Sequence, residues 1–62
     1  MDSNEYTIDE MTKILVYLMK YGVRISDEDI LLISGSYFDK HEKNYEAKKL
    51  SFLENIHRII GK

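Results

Sequence analysis

The sequence predicts an all-α fold: an antiparallel two-helix hairpin whose long second helix pairs with a second copy to form a helical bundle. Two helix start signals and one apolar repeat support this prediction. The start signals are Thr-Ile-Asp-Glu from Thr7 and Ser-Asp-Glu-Asp from Ser26. The repeat spaces five apolar side chains seven residues apart, at Leu31, Phe38, Tyr45, Phe52 and Ile59. Seven residues are close to two helical turns, so these side chains can share one seam of a helix.

Length and composition restrict the class of protein. A chain of 62 residues forms one small domain with a marginal core. It has no cysteine for a disulfide or a thiolate zinc site, which leaves self-association as the available support. A net charge of −2 disfavours nucleic-acid binding, which needs a concentrated positive face. No apolar run approaches the roughly 20 residues of a membrane span, and the acidic amino terminus does not resemble a secretory signal, so we expect a cytoplasmic protein.

Helix one is predicted at residues 7–22, after a flexible tail at residues 1–6. The Thr7 hydroxyl and the Glu10 carboxylate can form a capping box. Gly22 supplies the left-handed position at which helices commonly end. The predicted apolar stripe consists of Ile8, Met11, Ile14 or Leu15, Leu18 and Met19. Four tyrosines are expected at the edge of the core, and the alternative for each is a binding hot spot; they are Tyr17, Tyr21, Tyr37 and Tyr45.

Helix two is predicted at residues 26–60, and its short connection to helix one favours an antiparallel hairpin. The chain has no proline and no glycine between Gly35 and Gly61, so one continuous helix of about 50 Å is the simpler interpretation. Helix one, at about 21 Å, can cover only its first half. The uncovered half carries Leu50, Phe52, Leu53, Ile56, Ile59 and Ile60. We expect a homodimer to bury these side chains, and the alternative is a break at residues 39–44 that lets a third helix fold back.

One stretch of helix two points to a function. Gly-Ser-Tyr-Phe-Asp at residues 35–39 is followed by Tyr45 and preceded by a Tyr-Gly turn at residues 21–22. Over residues 8–45 the chain resembles the Spo-zero-E-like proteins, small aspartyl-phosphate phosphatases that restrain sporulation in endospore-forming bacteria. Their signature is Ser-Gln-Glu-Leu-Asp on the second of two antiparallel helices. Phe38 replaces the signature leucine and Asp39 matches the aspartate, whereas the first three positions differ.

The resemblance implies that the chain promotes hydrolysis of the aspartyl phosphate on a response regulator. In that reaction water attacks in line while a metal in the regulator's own pocket offsets the phosphoryl charge. An assisting protein need only orient the water or alter the metal shell, which is the role assigned to Asp39. The surrounding face, Gly35, Ser36, Glu42 and Lys43, would contact the regulator. The chain would need no cofactor of its own, because any Mg²⁺ would belong to the partner's phosphorylation site.

The same residues have plainer interpretations. Asp39 and Lys43 have the spacing of an ion pair on a helix surface. Gly35 either admits the close approach of another backbone, or is a tolerated surface glycine or a local kink. His41 and His57 have no further histidine or cysteine at helical ligand spacing, so we expect no metal site.

Two functions remain open at this point. The first is the Spo-zero-E-like regulator, with Asp39 as the assisting residue. The second is a non-catalytic interaction protein, such as an antirepressor or inhibitor, that places an exposed helical face in a partner's groove. Both predict a protein partner.

Overall fold

A computed structural model describes residues 6–61, which form three helices and no strand. Helix α1 spans Ile8–Lys20, helix α2 spans Asp27–Gly35 and helix α3 spans Tyr45–Ile60. The all-α prediction is confirmed. Of the predicted tail, residues 1–5 lie outside the described residues. None of the three helices is long and apolar enough to cross a membrane.

Helix α1 begins and ends at the predicted signals. The Glu10 N–H donates to the Thr7 hydroxyl at 3.1 Å, and the Thr7 N–H donates to the Glu10 carboxylate at 2.9 Å, which completes the capping box. Gly22 has a φ of 98°. The N–H groups of Gly22 and Val23 donate back to carbonyls of the last helical turn in the Schellman pattern. Local sequence therefore determines both ends of this helix.

Helix α2 also begins as predicted. The Asp29 N–H donates to the Ser26 hydroxyl at 3.1 Å, and three carboxylates occupy the first turn, where the helix dipole favours negative charge. The helix ends much earlier than expected, at Gly35, with Ser36 as its C-cap.

The continuous helix predicted for residues 26–60 is wrong. Residues 36–44 form a series of turns, which overlaps the alternative break at residues 39–44. Local hydrogen bonds compete with helical ones here. The Ser36 hydroxyl donates to the Ile33 carbonyl at 2.7 Å, and the Asp39 carboxylate accepts from the His41 N–H at 3.0 Å. The molecule measures 34 Å in its longest dimension, too short for a helix of about 50 Å.

Apolar burial favours the break. Phe52 and Ile56 of α3 are 6% and 0% exposed and form the core together with Leu15 of α1 and Ile30 of α2. Burying one such side chain stabilises the fold by about 1.5–3 kcal/mol. A hydrogen bond given up in the exposed turns is largely replaced by water, at a net cost of about 1 kcal/mol. Packing of α3 on the other two helices therefore buries Phe52 and Ile56, part of the apolar surface that the homodimer was expected to bury, whereas Leu50 and Ile59 stay exposed.

Helix α3 packs against both α1 and α2, which have few contacts with each other. The hairpin of helix one and helix two is therefore not confirmed. A dimer through the carboxyl-terminal half is no longer needed to bury Phe52 and Ile56, because both side chains have partners within the chain. On α1, Leu15 rather than Ile14 enters the core, and Leu18 is exposed instead of buried.

Candidate functional site

The predicted site residues lie at the carboxyl end of α2 and in the turns of residues 36–44, not in the middle of a helix. Ser36, Asp39, Glu42 and Lys43 are exposed, and Gly35 is half-buried. The four exposed residues therefore lie on irregular backbone and do not form one face of a helix.

Gly35 has a packing role within the chain. The Tyr45 hydroxyl donates to the Gly35 carbonyl at 3.1 Å, which joins the end of α2 to the start of α3. A Cβ added at Gly35 would lie 2.7 Å from the Tyr45 hydroxyl oxygen and 3.3 Å from Cδ of Lys49. The close approach is therefore made by side chains, not by another backbone.

Asp39 serves the turn in which it lies. Its Oδ1 accepts the hydrogen bond from the His41 N–H, a local bond of the kind that aspartate makes in turns. None of the ion pairs between described residues joins Asp39 to Lys43, because residues 39–43 are not helical and their spacing no longer brings the two side chains together. The carboxylate is exposed and has a second oxygen available for contacts outside the chain.

Two lysines of α3 have charged and aromatic partners within the chain, Lys48 in the turns and Lys49 on α3 itself. The Lys48 ammonium lies 2.6 Å from a Glu42 carboxylate oxygen and 5.7 Å from the centre of the Phe38 ring. The Lys49 ammonium lies 3.2 Å from the Glu46 carboxylate and 4.6 Å from the centre of a tyrosine ring. These charges are matched within the chain, so Glu42 has an internal partner as well as being a predicted contact residue.

A second surface, which the sequence interpretation missed, lies on the outer side of α1. Ile14, Tyr17, Leu18 and Tyr21 follow the i, i+3, i+4, i+7 spacing of one helical face. Tyr17, Leu18 and Tyr21 are 60%, 37% and 73% exposed, and Ile14 is half-buried without packing on the core. We call these four residues the α1 outer face. Of the four tyrosines expected at the core edge, Tyr17 and Tyr21 are instead exposed to solvent.

The two tyrosines of this face hold each other in place. Their ring centres are 4.7 Å apart with planes at 61°, an edge-to-face arrangement. The Tyr17 hydroxyl donates a long hydrogen bond of 3.4 Å to the Tyr21 hydroxyl. This bond raises the pKa of Tyr17, because ionisation removes the donated proton, and partial desolvation acts in the same direction.

The histidines show no convergence on a metal. His57 Nε2 lies 2.9 Å from the Asp27 carboxylate, which links the end of α3 to the start of α2. Within residues 6–61, no group of three or more histidine, aspartate or glutamate side chains is placed to hold a metal ion.

Comparison of the chain with protein-family models, with curated proteins and with solved structures found no match in any of the three. The resemblance to the Spo-zero-E-like proteins therefore stays a hypothesis that rests on the residues quoted for it.

Proposed function

We propose that the chain is a non-catalytic interaction protein that binds a protein partner through the α1 outer face. The observation that supports this proposal is the exposure of apolar side chains at the spacing with which a helix enters a partner's groove or packs on another helix. Two of the four side chains are tyrosines, which are enriched among the residues that dominate binding energy. Clustered apolar exposure of this kind typically marks an interaction surface.

The surroundings of the face fit this role. On a helix, Lys13 and Lys20 flank Tyr17 on its polar side, and Glu10 lies at the amino-terminal end of the face. An apolar centre with a charged rim is the usual composition of a protein interface. All three charged side chains are exposed, so they remain available to a partner.

Helix α1 is also ordered before binding. Its capping box, its Schellman end and the burial of Leu15 fix the helix within the chain. The edge-to-face contact of the tyrosines limits the rotamers that remain to be fixed. A partner would therefore meet a preformed surface, which lowers the entropic cost of association.

Site-specific photo-crosslinking tests this proposal. A benzophenone amino acid replaces Tyr17 in cells that produce the chain, and the matched control carries it at Leu32, which is 73% exposed on α2. We expect a covalent protein adduct at position 17 that exceeds any adduct at position 32. An excess of wild-type chain should suppress that adduct, whereas an excess of a Leu18→Glu chain should not. Equal crosslinking at the two positions would refute the proposal.

The second candidate is a cytoplasmic regulator that promotes aspartyl-phosphate hydrolysis on a response regulator and so restrains sporulation. The observation that favours it is Asp39, whose exposed carboxylate is held in position by the His41 N–H. In this candidate Ser36, Glu42 and Lys43 contact the regulator, and any Mg²⁺ belongs to the regulator's site.

Phosphate release from a panel of phosphorylated response regulators tests the second candidate. Asp39→Asn should reduce release at least about tenfold, because an assisting group typically contributes 10² or more. Glu54→Gln, an exposed position on α3 outside the proposed contact residues, is the control and should leave release unchanged. The candidate fails if the wild-type chain accelerates release from none of them.

A further inference from the structure

We infer that the occupant of the α1 outer face is a second copy of this chain, docked antiparallel about a two-fold axis. This inference rests on the proposed function, because it names the partner of the same face. The resulting dimer differs from the one expected from the sequence, which used the carboxyl-terminal half of the chain.

The charges of α1 favour an antiparallel pair of copies. The first turn carries Asp9 and Glu10, and the last turn carries Lys20. Antiparallel docking places the acidic turn of each copy beside the basic turn of the other, at both ends of the interface. Antiparallel docking also aligns the dipoles of the two helices in opposite directions, so that the positive end of each lies beside the negative end of the other. Parallel docking would bring like charges together at each end, which costs free energy.

The spacing of the face gives the pairing of residues. When the two-fold axis passes midway between Ile14 and Tyr17, Ile14 of each copy faces Tyr17 of the other copy. These four side chains form the apolar centre of the interface. Tyr21 then lies opposite Glu10 of the second copy. The Tyr21 hydroxyl accepts from Tyr17 and can donate its own hydrogen, while Glu10 accepts from the Thr7 N–H through Oε1 alone. The second carboxylate oxygen of Glu10 can accept that hydrogen.

Symmetry and size are consistent with this occupant. A two-fold interface uses the same patch on both copies, so an apolar face that lies between the acidic first turn of α1 and Lys20 in its last turn is complementary to itself. Within residues 6–61 only four apolar side chains are fully buried, and association stabilises a small domain of this kind. One helix of 13 residues covers less than the ~800 Å² per partner of a standard interface, so we expect micromolar affinity.

Sedimentation equilibrium from about 1 μM to about 1 mM tests the inference over the range expected for such an interface. The wild-type chain should pass from monomer to dimer. Tyr17→Glu should weaken dimerisation at least about a hundredfold, because each dimer loses two central contacts. Leu50→Glu is the matched control on α3, where Leu50 is 51% exposed, and should leave the dimer unchanged. Circular dichroism verifies that both variants keep their helices.

Charge reversal tests the orientation. Lys20→Glu should weaken the dimer about tenfold, since it turns an attraction into a repulsion at both ends. Glu10→Lys should do the same, and an equimolar mixture of the two variants should recover wild-type affinity. In a parallel dimer Lys20→Glu would cause no such loss.

A wild-type chain that stays monomeric at about 1 mM would overturn the inference, as would a dimer that Leu50→Glu weakens more than Tyr17→Glu. The photo-crosslink at position 17 separates this failure from failure of the proposed function. A chain-to-chain adduct supports both. An adduct with a different protein alone overturns the dimer and leaves the proposed function in place, and the absence of an adduct removes both.

Discussion

The packing of Gly35 against Tyr45 makes a prediction about two coupled substitutions. Gly35→Ala adds a methyl group 2.7 Å from the Tyr45 hydroxyl oxygen, so the tyrosine must move. The movement breaks the hydrogen bond to the Gly35 carbonyl, which is worth about 1 kcal/mol, and disturbs the contact of Lys49 with the tyrosine ring, which is worth about 0.5–1 kcal/mol. Alanine in place of glycine within a helix stabilises the helix by about 1 kcal/mol, which offsets part of this loss. We therefore expect Gly35→Ala to lower the free energy of unfolding by about 0.5–1 kcal/mol.

The sign should reverse when the hydroxyl is removed first. In a Tyr45→Phe chain the hydrogen bond is already lost and the nearest remaining atom is Cδ of Lys49 at 3.3 Å, part of a flexible side chain. Gly35→Ala should then stabilise the chain by about 0.5–1 kcal/mol, the helix propensity gain less a small adjustment. The two substitutions should couple by about 1–2 kcal/mol.

Urea unfolding of the four chains of this double-mutant cycle measures the coupling. Tyr37→Phe is the control, because Tyr37 is also half-buried but its hydroxyl has no hydrogen bond to another described residue. It should leave the effect of Gly35→Ala unchanged. If the effects of Gly35→Ala and Tyr45→Phe add to within about 0.3–0.5 kcal/mol, the contact between α2 and α3 described here is wrong.

Three further substitutions test other parts of the account. Gly22→Val should cost at least about 1–2 kcal/mol because of the positive φ alone, since a Cβ there meets no atom within 4 Å; thermal unfolding measures this, and Gly22→Asn should cost less. Phe52→Ala should cost about 3–5 kcal/mol in urea unfolding, and a small effect would mean that α3 does not complete the core. Tyr21→Phe should lower the pKa of Tyr17 towards its ordinary value of 10.0 in an ultraviolet titration, because the acceptor of its proton is gone, and an unchanged titration would contradict the tyrosine pair.

Local signals in the sequence were sufficient to predict the ends of α1 and the start of α2. The capping box at Thr7, the cap at Ser26 and the left-handed Gly22 each depend on contacts within a few residues. Such contacts are encoded by the chemistry of neighbouring side chains, so they can be read without knowledge of the tertiary fold.

The break at residues 36–44 could not be predicted in the same way. Its stretch has no proline, and the seven-residue repeat continues through it at Phe38 and Tyr45. What decides the break is the burial of Phe52 and Ile56 against two other helices, a tertiary gain that local propensity does not contain. The misplacement of Asp39 followed directly from this error.

The α1 outer face was missed because α1 carries two overlapping apolar stripes. Leu15 belongs to the stripe that faces the core, and Tyr17 and Tyr21 belong to the other. In the sequence, two adjacent apolar stripes on one helix are easily interpreted as a single broad stripe that faces the core. The exposed fraction of each side chain distinguishes them, and that requires the position of α3.

The folding back of α3 is the central claim, because the closed core, the outward tyrosines and the exposed turns all depend on it. The chain has no cysteine, so spin labels can be attached at cysteines placed at Asp27 and His57 alone. The structure brings these two side chains to 2.9 Å across 30 residues, whereas one continuous helix would hold them about 45 Å apart. Electron paramagnetic resonance of the doubly labelled chain, diluted with unlabelled chain, should show strong dipolar broadening. A distance near 45 Å would contradict the account.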